Sequence, residues 1–137
     1  MTRRTDNRGA SPLAALALAW AIPGAGHAYA GRWGKAALFF GGITGLLVLG
    51  MGLGRGTVLS PHELWYAAQV WAGGPAIALT PISQYLAARE SVDFYADRLR
   101  EMGTLYTAVA GFLNLLVMMD AYIKLAYPQG GAGRKGA

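Results

Sequence analysis

Hydrophobic residues are grouped along this chain into four long blocks, which are separated by charged or Gly/Pro-rich connections. The clearest block, residues 35–54, carries no charge after Lys35. Its length matches the roughly 20 apolar residues that a helix needs to cross the hydrocarbon core of a bilayer. Hydrocarbon offers no partner to backbone N–H and C=O groups, and the block lacks the two-residue alternation of a barrel strand. The pattern therefore predicts a transmembrane helix.

The first block, residues 12–30, is interrupted by Pro23 and Gly24. A proline removes a helical hydrogen bond, and a glycine loosens the backbone. This block is interpreted either as a kinked span or as a re-entrant half-helix. An apolar stretch behind N-terminal arginines is also compatible with a cleavable signal peptide.

The third and fourth blocks cover residues 64–88 and 103–127. Residues 73–75 read Gly-Gly-Pro, so the third block is predicted to be a bent helix whose freed carbonyls bond to a neighbour or to water. Together the blocks predict an all-α, polytopic membrane protein with about four transmembrane helices, of which the first is kinked or re-entrant. A three-span arrangement stays open, because the positive-inside count of Lys and Arg favours it.

Residues 89–102 connect the third and fourth blocks and are rich in charge. Apolar residues such as Tyr95 and Leu99 recur there at helical spacing, and Asp97 and Arg100 form an i,i+3 pair on the polar side. This pattern predicts an amphipathic helix that either lies in the membrane interface or prolongs the last span into water.

The composition agrees with a membrane location, because 54% of the residues are hydrophobic and only 14% are charged. Soluble domains carry about 25% charged residues. The net charge of +5 is spread over loops, a basic N-terminal arm (residues 1–11) and a Gly-rich basic tail (residues 128–137) that is predicted to be disordered. We interpret these cations as residues that flank the membrane-spanning segments at the surface of the lipid bilayer, and we expect no nucleic-acid partner. The sequence contains no cysteine, which excludes disulfides and Cys-ligated metal sites.

The most specific local pattern, PGAGHAYAGRWGK, lies between the first two blocks. Its glycines allow close backbone approach or positive φ, so a tight hairpin of two helices is predicted. The hairpin resembles the transmembrane-two-helix domain, which carries a G-x-x-H-x-F/Y-x-G-R/K signature. The predicted motif residues are Pro23, Gly24, Gly26, His27, Tyr29, Gly31 and Arg32.

The chain as a whole resembles a family of small bacterial integral membrane proteins of unknown function. The resemblance rests on an AW-x-x-PG-x-GH…GR opening and on the late block GTLYTAVAGFLNLL…DAY, residues 103–122. It leaves the middle of the chain, about residues 55–100, unmatched. It implies a polytopic helical protein of the bacterial inner membrane and brings no activity, catalytic residue or cofactor.

Among the polar side chains within the apolar blocks, Gln69, Asn114 and Asp120 are the candidate intramembrane polar residues. Polar residues are costly in hydrocarbon and usually face a bundle interior. One interpretation is a polar bridge to Gln69 or His27, or an ion or proton step. The other is an Asp120–Lys124 pair near the interface together with an interhelical amide bond from Asn114.

Small residues in the second block predict close helix packing. Gly41/Gly45 and Gly50/Gly54 have the small-xxx-small spacing that lets two helix backbones approach each other. The spacing serves packing within the chain and packing in oligomers equally.

Chemical functions find little support in the sequence. His27 is a candidate axial ligand for a haem or pigment, but a hydrogen bond to a carbonyl freed at Pro23 is the simpler interpretation, and neither a cofactor nor a metal is predicted. The sequence has no nucleophile-elbow or phosphate-binding pattern, so we expect no enzymatic activity.

The sequence thus predicts a non-catalytic integral membrane protein. Its expected role is that of a structural or accessory subunit, which packs in a homo-oligomer or in a larger membrane complex. The alternative is a small oligomeric channel or transporter with a polar path through Gln69, Asn114 and Asp120.

Overall fold

The computed structural model describes residues 11–89 and 94–127, and every regular element in these residues is a helix. The helices are α1 (Pro12–Ala21), α2 (Ala25–Tyr29), α3 (Trp33–Leu53), α4 (Tyr66–Val70), α5 (Gly74–Ala87) and α6 (Phe94–Ala126). The predicted helical fold is confirmed for this part of the chain. The predictions for the N-terminal arm before Ser11 and for the tail, residues 128–137, lie outside the described residues.

The longest helix, α6, is the axis of the fold, and α3 runs antiparallel beside it. Gly50 of α3 lies against Gly103 and Thr107, near the start of α6. Leu38, near the start of α3, lines a groove together with Asp120, near the finish of α6. The bundle therefore has two ends. The first end holds the start of α3 and the finish of α6, and the second end holds the finish of α3 and the start of α6.

A short hairpin of α1 and α2 packs on the half of α6 that belongs to the first end. Helix α1 stops before Pro23, which has no N–H to continue the ladder, and Gly24 then takes a left-handed φ of 83°. The chain turns back, so that Gly26 of α2 lies against Ala15 of α1 and Ala121 of α6. The hairpin therefore reaches only part of the way along α6.

A second short hairpin, formed by α4 and α5, enters the bundle from the second end. The N–H of Leu59, in the loop after α3, donates to Oγ of Ser83 in α5 at 2.9 Å. The hairpin turns at Gly73, whose φ of 85° is left-handed, and this glycine lies directly against the carbonyl oxygen of Trp20 in α1. The tips of the two hairpins therefore meet inside the bundle.

Only α3 and α6, among the described residues, are long and apolar enough to cross a membrane. The expected four transmembrane helices are not found as such. The first predicted span is divided into α1 and α2, and the third, residues 64–88, into α4 and α5. The first division falls at Pro23 and the positive-φ Gly24 beside it, and the second at the positive-φ Gly73, two residues before Pro75. A proline cannot continue the ladder of i→i−4 hydrogen bonds.

The boundary predicted between an interfacial helix and the last span also differs from the structure. Helix α6 continues without a break through the point, residue 103, at which the last span was predicted to begin. Of the predicted interfacial segment, residues 90–93 lie outside the described residues. The charged turn around Asp97 and Arg100 is thus the first part of α6, which is the prolonged-span interpretation.

The outer surface of α3 and α6 is apolar, whereas the interior is rich in alanine. Leu38 is 70% exposed, Val48 is 62% exposed and Leu116 is 66% exposed. The buried core consists of Ile43, Leu47, Ala72, Ala76, Ala110 and Val117. Large apolar side chains outside and alanines inside are compatible with a membrane protein, in which lipid covers the outer surface.

We predict that Gly73→Ala destabilises the fold strongly and that Gly34→Ala does not. A Cβ at residue 73 would collide with the carbonyl oxygen of Trp20, and the left-handed φ alone adds about 1–2 kcal/mol. A Cβ at residue 34 meets nothing within 4 Å. The measurement is the midpoint of SDS-induced unfolding in mixed micelles. Equal midpoints for the two variants would contradict the close contact of the hairpin tips.

Candidate functional site

Asn114 of α6 joins the two hairpins through its side-chain amide. Its Nδ2 donates to the carbonyl oxygen of Ala19 at 3.2 Å and to that of Trp71 at 2.9 Å. In an uninterrupted helix these carbonyls would accept from the residues four positions later, which are Pro23 and Pro75. Proline has no N–H, so both carbonyls are left without a helical donor. The two amide hydrogens of Asn114 supply the two missing donors.

The environment fixes the orientation of this amide. Asn114 is fully buried, and its Oδ1 has no hydrogen-bond partner. The opposite rotation of the amide would place Oδ1 against two carbonyl oxygens, which are all acceptors. The predicted interhelical amide bond is therefore present, and it is made twice.

Gln69 of α4 forms a second buried polar contact, closer to the second end. Its Nε2 donates to the carbonyl oxygen of Val58 at 3.0 Å and to Oγ1 of Thr107 at 2.8 Å. The Thr107 hydroxyl lies 3.1 Å from the carbonyl of Gly103 one turn earlier in α6, to which it donates. Gln69 is 1% exposed, so these bonds tie α4 and the loop after α3 to α6 in the bundle interior.

His27, Asp120 and Lys124 form a polar cluster one turn inside the first end. His27 Nε2 lies 2.9 Å from Oδ2 of Asp120, and Nζ of Lys124 donates to the same oxygen. The His27 ring is 1% exposed and packs edge-on against Phe39 of α3. The structure thus contains both the bridge to His27 and the pair with Lys124 that the sequence offered as alternatives for Asp120.

The partner of His27 is a carboxylate, so the expected bond to a backbone carbonyl near Pro23 is not found. Nδ1 of His27 is buried and has no partner. An axial ligand role would require Nε2 to leave Asp120, or the buried Nδ1 to become accessible. His27, Gln69, Asn114 and Asp120 do not converge on one centre, because Gln69 bonds to Thr107 and Asp120 lies more than three turns later along α6.

The remaining residues of the predicted hairpin motif shape the connection from α2 to α3. Pro23 is buried, and a Cβ at Gly24 would press on the carbonyl of Ala36, which brings α2 against α3. Gly31 has a positive φ of 74° in the turn before α3, where Arg32 is the N-cap residue. Tyr29 is 43% exposed beside this turn.

The four predicted packing glycines of α3 divide into two pairs. Gly50 and Gly54 face α6, where Gly50 lies against Gly103 and Thr107. Nothing lies within 4 Å of a Cβ built at Gly41 or at Gly45. Gly50 and Gly54 therefore serve packing within the chain, whereas Gly41 and Gly45 meet none of the described residues.

A protein-family model matches the chain from residue 14 to residue 132, a range that includes most of these helices. The chain belongs to a family of unknown function, DUF6677. No curated protein and no solved structure matches it. The expectation of an uncharacterised family is therefore confirmed, whereas the likeness to the transmembrane-two-helix domain and the bacterial origin stay predictions.

The contacts of Arg100 in this DUF6677 member were not predicted from its sequence. Arg100 of α6 contacts Oε1 of Glu63 at 2.5 Å through Nη2 and donates from Nε to the carbonyl of Thr57 at 3.2 Å. The sequence suggested Asp97 as the partner of Arg100, one turn earlier in the same helix. The carboxylate used comes from the loop before α4, 37 residues away, and no local spacing indicates such a partner.

We predict that Asn114→Leu lowers the free energy of unfolding by about 2–4 kcal/mol in this member of DUF6677. The substitution leaves two buried carbonyls without a donor, and each orphaned group costs about 1–3 kcal/mol. The measurement is SDS-induced unfolding, with Leu116→Ala as the control, because Leu116 is exposed on the same helix. If both variants unfolded alike, the carbonyls would have another donor.

Proposed function

We propose that this protein is a non-catalytic integral protein of the bacterial inner membrane. It serves as a structural or accessory subunit that assembles with copies of itself or with larger membrane proteins. The single observation that carries this proposal is the outer face of α3, which is apolar, lined by open glycines and without a partner among the described residues.

The apolar outer surface supports the membrane location. Exposed apolar side chains follow α6 along its length, including Leu105, Phe112 and Ile123. Basic residues flank the apolar part of α3, with Lys35 one turn inside its start and Arg55 just beyond its finish. Trp33 and Trp65 are exposed at opposite ends of the bundle, as is common for tryptophans at the two membrane interfaces.

The arrangement that we propose has two full spans and two half-length hairpins. Helices α3 and α6 cross the membrane antiparallel. The α1–α2 hairpin enters from the first end, the α4–α5 hairpin enters from the second end, and their tips meet at Gly73. Irregular backbone is tolerated at membrane depth where protein buries it, and the amide of Asn114 provides this at both tips.

The surface proposed for assembly is the outer face of α3. Its residues recur at alternating spacings of four and three, so that every second one lies seven residues further along the helix. Helical geometry places them on one side of the helix, about 40–120° away from Gly42, with Leu38 the nearest to it. Small residues let a second helix approach closely, and Leu and Val supply the apolar contact. The face consists of Gly34, Leu38, Gly41, Gly45, Val48 and Gly52, all of them exposed.

The buried polar groups favour a structural role over the channel that the sequence left open. A polar path needs side chains that present hydrogen-bonding groups to a passing solute. Nδ2 of Asn114 and Nε2 of Gln69 are each committed to two hydrogen bonds that hold helices together. Two of the three side chains proposed for the path, Gln69 and Asn114, are therefore part of the packing.

Because the chain has no cysteine, single cysteines can report the sidedness of each connection. We expect Arg32→Cys and Tyr127→Cys to react with an impermeant thiol reagent from one side of the membrane. Leu64→Cys and Ala88→Cys should react from the other side. Four full spans would instead pair residue 32 with residue 88 and residue 64 with residue 127. Labelling of oriented vesicles distinguishes the two arrangements.

We predict that Gly45→Leu reduces the size of the assembly without unfolding the chain. A leucine side chain at this exposed position meets no described residue of the chain itself, but it blocks the approach of a second helix. The measurement is the mass of the complex extracted in mild detergent, with its composition from native mass spectrometry. Gly42→Leu is the matched control, because it adds the same bulk to the same helix on a different face. A wild-type monomer, or an assembly indifferent to Gly45→Leu, would contradict the proposal.

A further inference from the structure

An apolar groove of about 370 Å³ runs between α3 and α6 on the outer surface of the bundle. Gly42 forms part of its floor, and a Cβ built there meets nothing within 4 Å, so the groove owes its depth to the missing side chain. Its apolar walls are Leu38, Leu46, Leu113, Leu116 and Val117.

The groove has a direction, because it begins at the first end and stops near the middle of the bundle. Eight residues separate Leu38 from Leu46, which corresponds to about 12 Å of helix at 1.5 Å per residue. Half of a bilayer core of roughly 30 Å is about 15 Å. The groove therefore spans close to the depth of one membrane leaflet.

Basic side chains stand at the outer mouth of the groove. Lys35 lies seven residues before Gly42 on α3, and Lys124 lies seven residues after Val117 on α6, so each shares the face of its helix that lines the groove. Asp120 lines the mouth as well and bonds to Lys124. With Arg32 at the same end, the described side chains here carry three basic groups against one carboxylate.

We propose that the groove holds an acyl chain of an anionic phospholipid, with the lipid phosphate held by Lys35 and Lys124. The apolar walls match the hydrocarbon chain, and the excess of basic groups at the mouth matches the negative phosphate and headgroup. The inference rests on the membrane location proposed above and does not require the assembly face, which adjoins the groove at Leu38.

The volume of the groove suits a single hydrocarbon chain better than a transmembrane helix. A helix with side chains is at least about 10 Å wide, so 12 Å of it fills on the order of 900 Å³. That is more than twice the volume of the groove. A single hydrocarbon chain is the apolar object of a membrane that is slender enough to enter.

The test measures lipid retention by the purified full-length protein in detergent, by native mass spectrometry, with phosphatidylglycerol and phosphatidylcholine of identical acyl chains. We expect one phosphatidylglycerol per chain, bound at least about tenfold more tightly than phosphatidylcholine. Gly42→Leu should lower the retention of both lipids. Lys35→Gln should remove the preference for phosphatidylglycerol and leave phosphatidylcholine binding unchanged. Lys124→Gln is a second variant at the mouth with the same expected effect.

Two control variants keep the size and charge changes matched. Gly45→Leu adds the same bulk outside the groove, and Arg55→Gln removes a basic side chain at the second end; both should retain phosphatidylglycerol as the wild type does. Equal retention of the two lipids, or retention that survives Gly42→Leu, would overturn the proposal. So would displacement of the lipid by inorganic phosphate alone, because the acyl chain would then contribute nothing. Loss of assembly in Gly45→Leu without loss of lipid would separate this site from the assembly face.

Discussion

The fold depends on one constraint, which is that main-chain carbonyls freed by proline must find donors where water is absent. Pro23 and Pro75 each deprive a carbonyl of its helical N–H, and Asn114 donates one amide hydrogen to each. An unsatisfied polar group in hydrocarbon costs several kcal/mol, so each break must lie within reach of a donor, and here both breaks lie within reach of the same one. This requirement brings the hairpin tips together at one level of α6, and it explains why the two hairpins stop at the same depth.

Small residues make that meeting sterically feasible. Gly73 approaches the Trp20 carbonyl more closely than any residue with a Cβ could, and Gly111 lies in the same way against α4 at Ala68. With so little side-chain volume at these contacts, dispersion and Cα–H···O interactions between backbones replace the interdigitated side chains of a soluble core. Large apolar side chains are then left over for the outer surface. Close packing through small residues thus accounts for both the alanine-rich interior and the apolar exterior, which lipid can cover.

The sequence predicts this architecture where one local signal decides it. The apolar run of residues 35–54 needs only its length and lack of charge to be identified, and α3 agrees with it. Block hydropathy does not register a hairpin tip, however. Residues 12–30 are therefore predicted as a kinked span or a re-entrant half-helix and residues 64–88 as one bent span, although each contains two helices. The prolines did carry the missing information, because the carbonyl four residues before each proline lacks its donor. Which donor serves it depends on tertiary contact, as does the pairing of His27 with Asp120 across 93 residues.

Periodicity also leaves open which glycines are already used, and this distinction determines what surface the protein can offer to others. Gly41 and Gly50 look alike in sequence, yet only Gly50 is covered by α6. The open glycines adjoin the groove at Gly42 on the same helix, and Leu38 borders both surfaces. A lipid chain in the groove would therefore lie at the edge of any partner docked on α3. By linkage, whatever a bound lipid contributes to that contact, the partner contributes equally to lipid affinity.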